Sequence, residues 1–202
     1  MGTTLTATFS SSARATAETL SADRFDEIVR QHQQRVYRVI FLLLKDADAA
    51  DTLTQECFLR AFEKRASFRG ECALATWLLR IAVNLVRDHN KSRRQSFWRK
   101  LVGLQEQDQD EDQAFRTRAP NLATSTPSPE RALLARETLQ EVWAAVDSLS
   151  PQQQTVFLLR FAEEMSLAEI ATVLRVKVGT VKAQLFRATS KVKEAVKEKS
   201  CG

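Results

Sequence analysis

Gln184, Arg187 and Lys191, preceded by Thr180 and Lys182, are the side chains best equipped to do chemistry in this sequence. The chemistry is recognition of a polyanion. Gln and Arg carry groups that read base edges, while Lys, Arg and Thr hold phosphate oxygens. Their spacing is helical. Val178, Val181, Leu185, Ala188 and Val192 recur at steps of three and four and form one apolar stripe. Arg187 and Ser190 lie opposite that stripe, Thr180, Gln184 and Lys191 along one flank, and Lys182 and Lys193 along the other. Just upstream, Ser166-Leu167-Ala168-Glu169 has the form of a capping box, followed by the apolar side Leu167, Ile170, Ala171 and Leu174. Two short amphipathic helices joined by a tight turn, the second cationic, read as a helix-turn-helix.

A second constellation lies in the first half. Plotted on a helical wheel, Leu78, Ile81, Ala82 and Leu85 face inward, and Arg80, Asn84, Arg87, Lys91 and Arg94 fall along a separate stripe. Trp77 stands at the border between the two. A cationic stripe with an aromatic edge suits DNA whose bases must be unstacked: cations hold phosphate and Trp stacks on a base. The other reading is a solvated cationic face beside a core Trp. The residues alone leave both open for Trp77.

The elements that must position these groups are all helical. Phe25, Ile28, Val29, Val36, Val39, Ile40 and Leu43 form the face of one long helix. A polar break at 46–51 offers Asp48 or Asp51 as caps, and a second helix runs to about Lys64. Residues 67–72 form a loop around Gly70, and a third helix runs from about Leu74 to Asn90. Nothing alternates with the period of a strand. Residues 95–130 lose the periodicity. An acidic block (Glu106, Asp108, Asp110, Glu111, Asp112) precedes a stretch with Pro120, Pro127 and Pro129 among Ser and Thr, which reads as a linker. Its ~36 residues would reach roughly 120 Å fully extended. From Arg131 four helices are expected. The second starts at Ser150-Pro151-Gln152-Gln153, with Ser150 as N-cap and Pro151 at the first helical position.

The organisation predicted is therefore all-α: an N-terminal extension over 1–22, a helical domain over 23–94, a flexible linker over 95–130 and a second helical domain over 131–202. The chain has 202 residues and a net charge of +5, compatible with nucleic acid but weak by itself. The distribution says more, because two basic stretches flank the acidic block. Cys57, Cys72 and Cys201 are too far apart for a metal or redox motif, and His32 and His89 have no ligand spacing. No metal site and no cofactor is expected. No Ser/His/Asp set and no phosphate-binding glycine loop points to an enzyme. Without a bilayer-spanning run or a signal peptide, the expected location is the cytoplasm, with no membrane insertion.

Three segments carry a family resemblance. Asp51-Thr52-Leu53-Thr54-Gln55-Glu56-Cys57-Phe58-Leu59-Arg60-Ala61-Phe62 resembles the core-binding segment of bacterial sigma factors of the extracytoplasmic-function group. Phe68-Arg69-Gly70-Glu71 with Thr76-Trp77-Leu78-Leu79-Arg80-Ile81-Ala82-Val83-Asn84 is similar to that group's promoter −10 segment. Leu149-Ser150-Pro151 and Val178-Gly179-Thr180-Val181-Lys182, with Leu185, Arg187 and Ala188, resemble its −35 helix-turn-helix. The three occur in the family's order.

The resemblance implies a sigma-2-like domain, a linker and a sigma-4-like domain. It implies that Asp51, Gln55 and Glu56 grip the clamp helices of the largest subunit of core RNA polymerase, and that the second domain meets the flap of the second-largest subunit. Arg69, Gly70, Trp77, Arg80, Asn84, Arg87 and Lys91 would then serve the −10 element, with a flipped base at the Gly70 loop and its neighbour read by Asn84. Thr180, Lys182, Gln184, Arg187 and Lys191 would serve the −35 element of promoter DNA. An anti-sigma factor is the further partner implied. The sequence departs from the family at Arg175, where Gly is frequent in the turn, and at Lys177, where a better cap is usual. The alternative is a helix-turn-helix transcriptional regulator that never joins polymerase.

Overall fold

The computed structural model describes residues 24–101 and 140–200, all of whose regular structure is helical. The N-terminal extension, most of the linker and residues 131–139 lie outside the described residues. Two compact units are present. The first is built on α1 (Phe25–Leu44), α2 (Ala47–Glu63), a short 3-10 turn (Arg65–Ser67) and α3 (Leu74–Leu101). The second is built on α4 (140–147), α5 (Pro151–Phe161), α7 (Val178–Ser200) and most of α6 (Leu167–Leu174).

In the first unit α1, α2 and α3 pack pairwise against one another. Val36, Ile40, Cys57, Ala61, Leu78 and Ala82 are almost wholly buried at their centre. The break between α1 and α2 is made by two residues. Lys45 adopts the left-handed conformation at φ 59° and its N–H donates back to the Phe41 carbonyl, closing α1. Asp46 then caps α2 by accepting from the Ala49 N–H. The cap is thus Asp46 and neither Asp48 nor Asp51, because only Asp46 is still extended when the helix begins.

The third helix is longer than its sequence suggests. It continues past Asn90 to Leu101, seven residues into the expected linker. No Gly or Pro interrupts residues 74–101, and Lys91, Arg93, Arg94, Gln95, Arg99 and Lys100 are straight-chain residues that tolerate helix well. The missing apolar period there did not mark an absence of helix.

The second unit follows its caps closely. Ser150 accepts from the Gln153 N–H while the Gln153 side chain accepts from the Ser150 N–H, and Pro151 opens α5. Ser166 and Glu169 repeat that reciprocal arrangement at the start of α6. α5 packs against α7, with Val156 and Leu159 buried on the first, and Val181, Ala188 and Val192 on the second. Val178, expected in the buried stripe, is instead 39% exposed, since it opens α7 before the helix reaches the core.

Candidate nucleic-acid and polymerase interfaces

On α2, Asp51 and Gln55 are exposed and Glu56 is half-buried. Glu56 accepts from the Arg60 guanidinium at 2.7 Å, one turn on. The carboxylate is therefore directed along the helix surface toward the next turn. Leu59, one turn beyond Gln55, is 62% exposed. Phe62 follows, its ring meeting Phe25 edge-on at 5.1 Å and lying 4.0 Å under the Arg65 guanidinium. The face thus combines carboxylate and amide groups with an apolar step. Leu59 was not among the residues singled out from sequence. The available signal was its place off the Ala50–Cys57–Ala61 buried stripe.

The loop after α2 is shaped from both ends. Phe68 packs on Trp77 with ring centroids 5.2 Å apart. Gly70 takes φ 71°, a left-handed value that costs Gly nothing and other residues about 1–2 kcal/mol. Arg69 and Gly70 are exposed at its tip.

Trp77 itself is 5% exposed and belongs to the first unit's core. Of the two readings open for Trp77, this burial favours the core one over stacking on an unpaired base, because a ring enclosed by its own domain offers little face to DNA. Its place is beneath the loop, where it supports Phe68. The wheel put it at a border, and only packing from α1 and α2 decides which side of that border is covered.

The cationic stripe of α3 is present as expected. Arg80 and Asn84 are half-buried, whereas Arg87, Lys91 and Arg94 are exposed. Steps of four and three keep them on one side of the helix. Arg87 donates through Nη2 to Asn84 Oδ1 at 2.8 Å. The other flanks of α3 are more deeply enclosed than the wheel implied, with Leu79, Val83 and Val86 buried in addition.

In the second unit, Arg175 ends α6 in the left-handed conformation at φ 55°, ψ 46°. It does so where a Gly would be unstrained. α7 begins without a side-chain acceptor, since Lys177 supplies only its carbonyl to the N–H groups of Thr180 and Val181. Thr180, Lys182, Arg187 and Lys191 are exposed and Gln184 is half-buried. Phe186 is 73% exposed beside Arg187. It also was absent from the sequence-derived set, although it falls off the Val181–Leu185–Ala188–Val192 stripe. An α-helix with its side chains is about 10–12 Å across, close to the ~12 Å major groove. This face is thus dimensioned and equipped to enter duplex DNA.

Among the described residues no group of three or more His, Cys, Asp or Glu could hold a metal, and no described helix is long and apolar enough to cross a membrane. Cys57 is buried, its Sγ donating to the Leu78 carbonyl at 3.6 Å, and burial pushes its thiol up to about 12.

Comparison with known proteins gives these surfaces a lineage. Residues 28–96 match the family described as Sigma-70 region 2, and residues 139–192 match Sigma-70, region 4. The chain is 33% identical over 175 residues to the RNA polymerase sigma-H factor of Pseudomonas aeruginosa, covering 85% of this chain and 86% of that one. It is 29% identical to the ECF RNA polymerase sigma-E factor of Escherichia coli K12, covering 85% and 86%. It is 25% identical to the ECF RNA polymerase sigma factor SigW of Bacillus subtilis, covering 87% and 90%. The fold is shared with the sigma factor RpoE of Bartonella quintana, solved with the anti-sigma factor NepR (TM-score 0.59, 21% identity, 86% of this chain and 96% of that one). It is shared also with CnrH, solved with the cytosolic domain of CnrY (TM-score 0.60, 19% identity, 93% and 98%). With both regions matched in order and each presenting an exposed, polar helix face, this chain belongs to the sigma-70 family of RNA polymerase sigma factors, in its extracytoplasmic-function group.

Proposed function

We propose that this protein is an alternative sigma factor: a dissociable subunit that binds core RNA polymerase and directs it to a particular set of promoters. The observation that carries the reading is the pairing of two helical units, each with one exposed face of cations and amides, on α3 and on α7. One unit would engage the opened −10 element and the other the −35 duplex. The domain limits proposed are 23–94 and 131–202, joined by the 95–130 segment, with the reservation that α3 reaches Leu101. The protein acts as a specificity subunit and carries no chemistry of its own; its place of work is the cytoplasm.

Within this reading, Asp51, Gln55 and Glu56 meet the clamp helices of the largest polymerase subunit. Arg60 fixes the direction of the Glu56 carboxylate and Leu59 adds apolar contact. The second unit meets the flap of the second-largest subunit. Arg69, Gly70, Arg80, Asn84, Arg87 and Lys91 serve the −10 element. Trp77 serves it indirectly, by supporting the loop. Thr180, Lys182, Gln184, Arg187 and Lys191 serve the −35 element, with Phe186 as an apolar contact to bases. An anti-sigma factor is the natural inhibitor, a partner of the kind solved with RpoE in its complex with NepR. A regulator acting apart from polymerase would account for α7 but leaves the match over 28–96 without a purpose.

In vitro transcription with core polymerase on a promoter library tests the proposal. Template-specific initiation that depends on this chain is the expected result; no added initiation on any template counts against it. In parallel, Asp51→Arg with Glu56→Arg should weaken pull-down of core polymerase while leaving the circular dichroism spectrum unchanged, because neither side chain belongs to the core.

A further inference from the structure

The Arg87–Asn84 contact fixes more than a position. A guanidinium has five N–H donors and no acceptor. An amide can meet it at 2.8 Å only through its oxygen. The Oδ1 of Asn84 therefore faces Arg87, and the Nδ2 group is turned the other way. Arg80 stands one turn before Asn84 on the same stripe, so a cation lies along the helix on either side of the amide. Rotating the amide would bring its own donors against Arg87 and lose the hydrogen bond. Asn84 is also half-buried on this face of α3.

On this basis we propose that Arg87 is a positioning residue that presents Asn84 as a hydrogen-bond donor, so that the opened base it meets is read by an acceptor atom, a ring nitrogen or a carbonyl oxygen. The inference rests on the reading of α3 as the −10 surface. It goes further by naming the chemistry of the base edge and by taking Arg87 away from direct DNA contact. The usual amide–adenine pair needs the amide oxygen to accept from the base while the amide nitrogen donates to it. With Oδ1 held by a cation, a base N–H approaching that oxygen would lie beside the guanidinium. The cation beside the oxygen's remaining lone pair thereby weakens the paired adenine contact, adenine is left a single contact through a ring nitrogen, and bases offering carbonyl acceptors to Nδ2 are favoured.

The test uses the full chain with core polymerase on pre-melted templates carrying each of the four bases in turn at every −10 position. Asn84→Ala should lower complex lifetime at one position only. There the wild type should disfavour adenine by roughly 5–150-fold, the range that corresponds to one lost pair of base contacts. Arg87→Ala should shrink that discrimination to within about 3-fold, at that position alone, with the salt dependence unchanged. Arg87→Lys keeps a donor in place and should retain part of the discrimination. Combining Asn84→Ala with Arg87→Ala should be no worse there than Asn84→Ala by itself. If Arg87→Ala instead weakens binding equally for all four bases and lowers the salt slope by about 0.7, the single-strand value, Arg87 is a phosphate contact and the proposal fails. That result would leave the −10 reading intact if Asn84→Ala remains position-specific. If Asn84→Ala affects no position, the base-reading role falls and the positioning role falls with it.

Discussion

Replacing Trp77 by Ala distinguishes a core role from a DNA-stacking role with opposite outcomes. The ring is 5% exposed and packs against Phe68 at a centroid separation of 5.2 Å. A buried Trp removes ~150–250 Å² from water, which at ~25 cal/mol per Å² amounts to roughly 4–6 kcal/mol. Truncations of this kind cost about 3–5 kcal/mol in practice. A unit of ~80 residues has a total stability of only ~4–12 kcal/mol at ~0.05–0.15 kcal/mol per residue. Trp77→Ala should therefore lower the unfolding midpoint of the first unit by roughly 3–5 M urea, taking a slope of about 1 kcal/mol per M for so small a unit. Urea-dependent hydrogen exchange in peptides from α1–α3 follows this unit separately from the second. Trp77→Phe keeps an aromatic filler under Phe68 and should both fold and open promoters nearly as the wild type does. If Trp77→Ala unfolds at the wild-type urea concentration yet loses permanganate-detected strand opening, the ring acts on DNA and the packing argument is wrong.

Three further outcomes are expected. Arg175→Gly removes a left-handed strain of ~1–2 kcal/mol, partly offset by the greater freedom of Gly in the unfolded chain, so the second unit should gain about 0.5–1 kcal/mol in a thermal melt; a loss of stability would contradict the conformation assigned to the turn. Lys91→Ala with Arg94→Ala should weaken promoter binding evenly across sequences and reduce the salt slope by about 1.8, the value for two phosphate contacts, in a filter-binding titration. The Cys57 thiol, held up near about 12 by burial against an ordinary 9.0, stays protonated in the folded chain while the unfolded chain ionises. Its contribution to stability is thus complete below pH 9 and is lost as pH rises through that window, and at pH 8 a thiol reagent should label Cys57 only at the rate of unfolding.

Much of the site was legible because it depends on neighbours a few residues apart. The Ser150–Gln153 and Ser166–Glu169 boxes, the Arg80–Asn84–Arg87–Lys91 stripe and the cationic flank of α7 are set by local hydrogen-bonding chemistry and a 3.6-residue period, both written in the chain. The left-handed turn at Arg175 was likewise marked by position, even though its residue type argues against it. What the tertiary structure decided is which sides of these helices are covered. Trp77 is enclosed and Val178 is not, Leu59 and Phe186 stand in the open, and α3 keeps its helix to Leu101. Burial at a given position depends on elements distant in sequence, and a periodic pattern specifies a face without specifying what lies against it. The same holds for the Arg87–Asn84 bond: the helix brings the two side chains within reach, and only the folded surface shows that the amide oxygen is taken by the guanidinium.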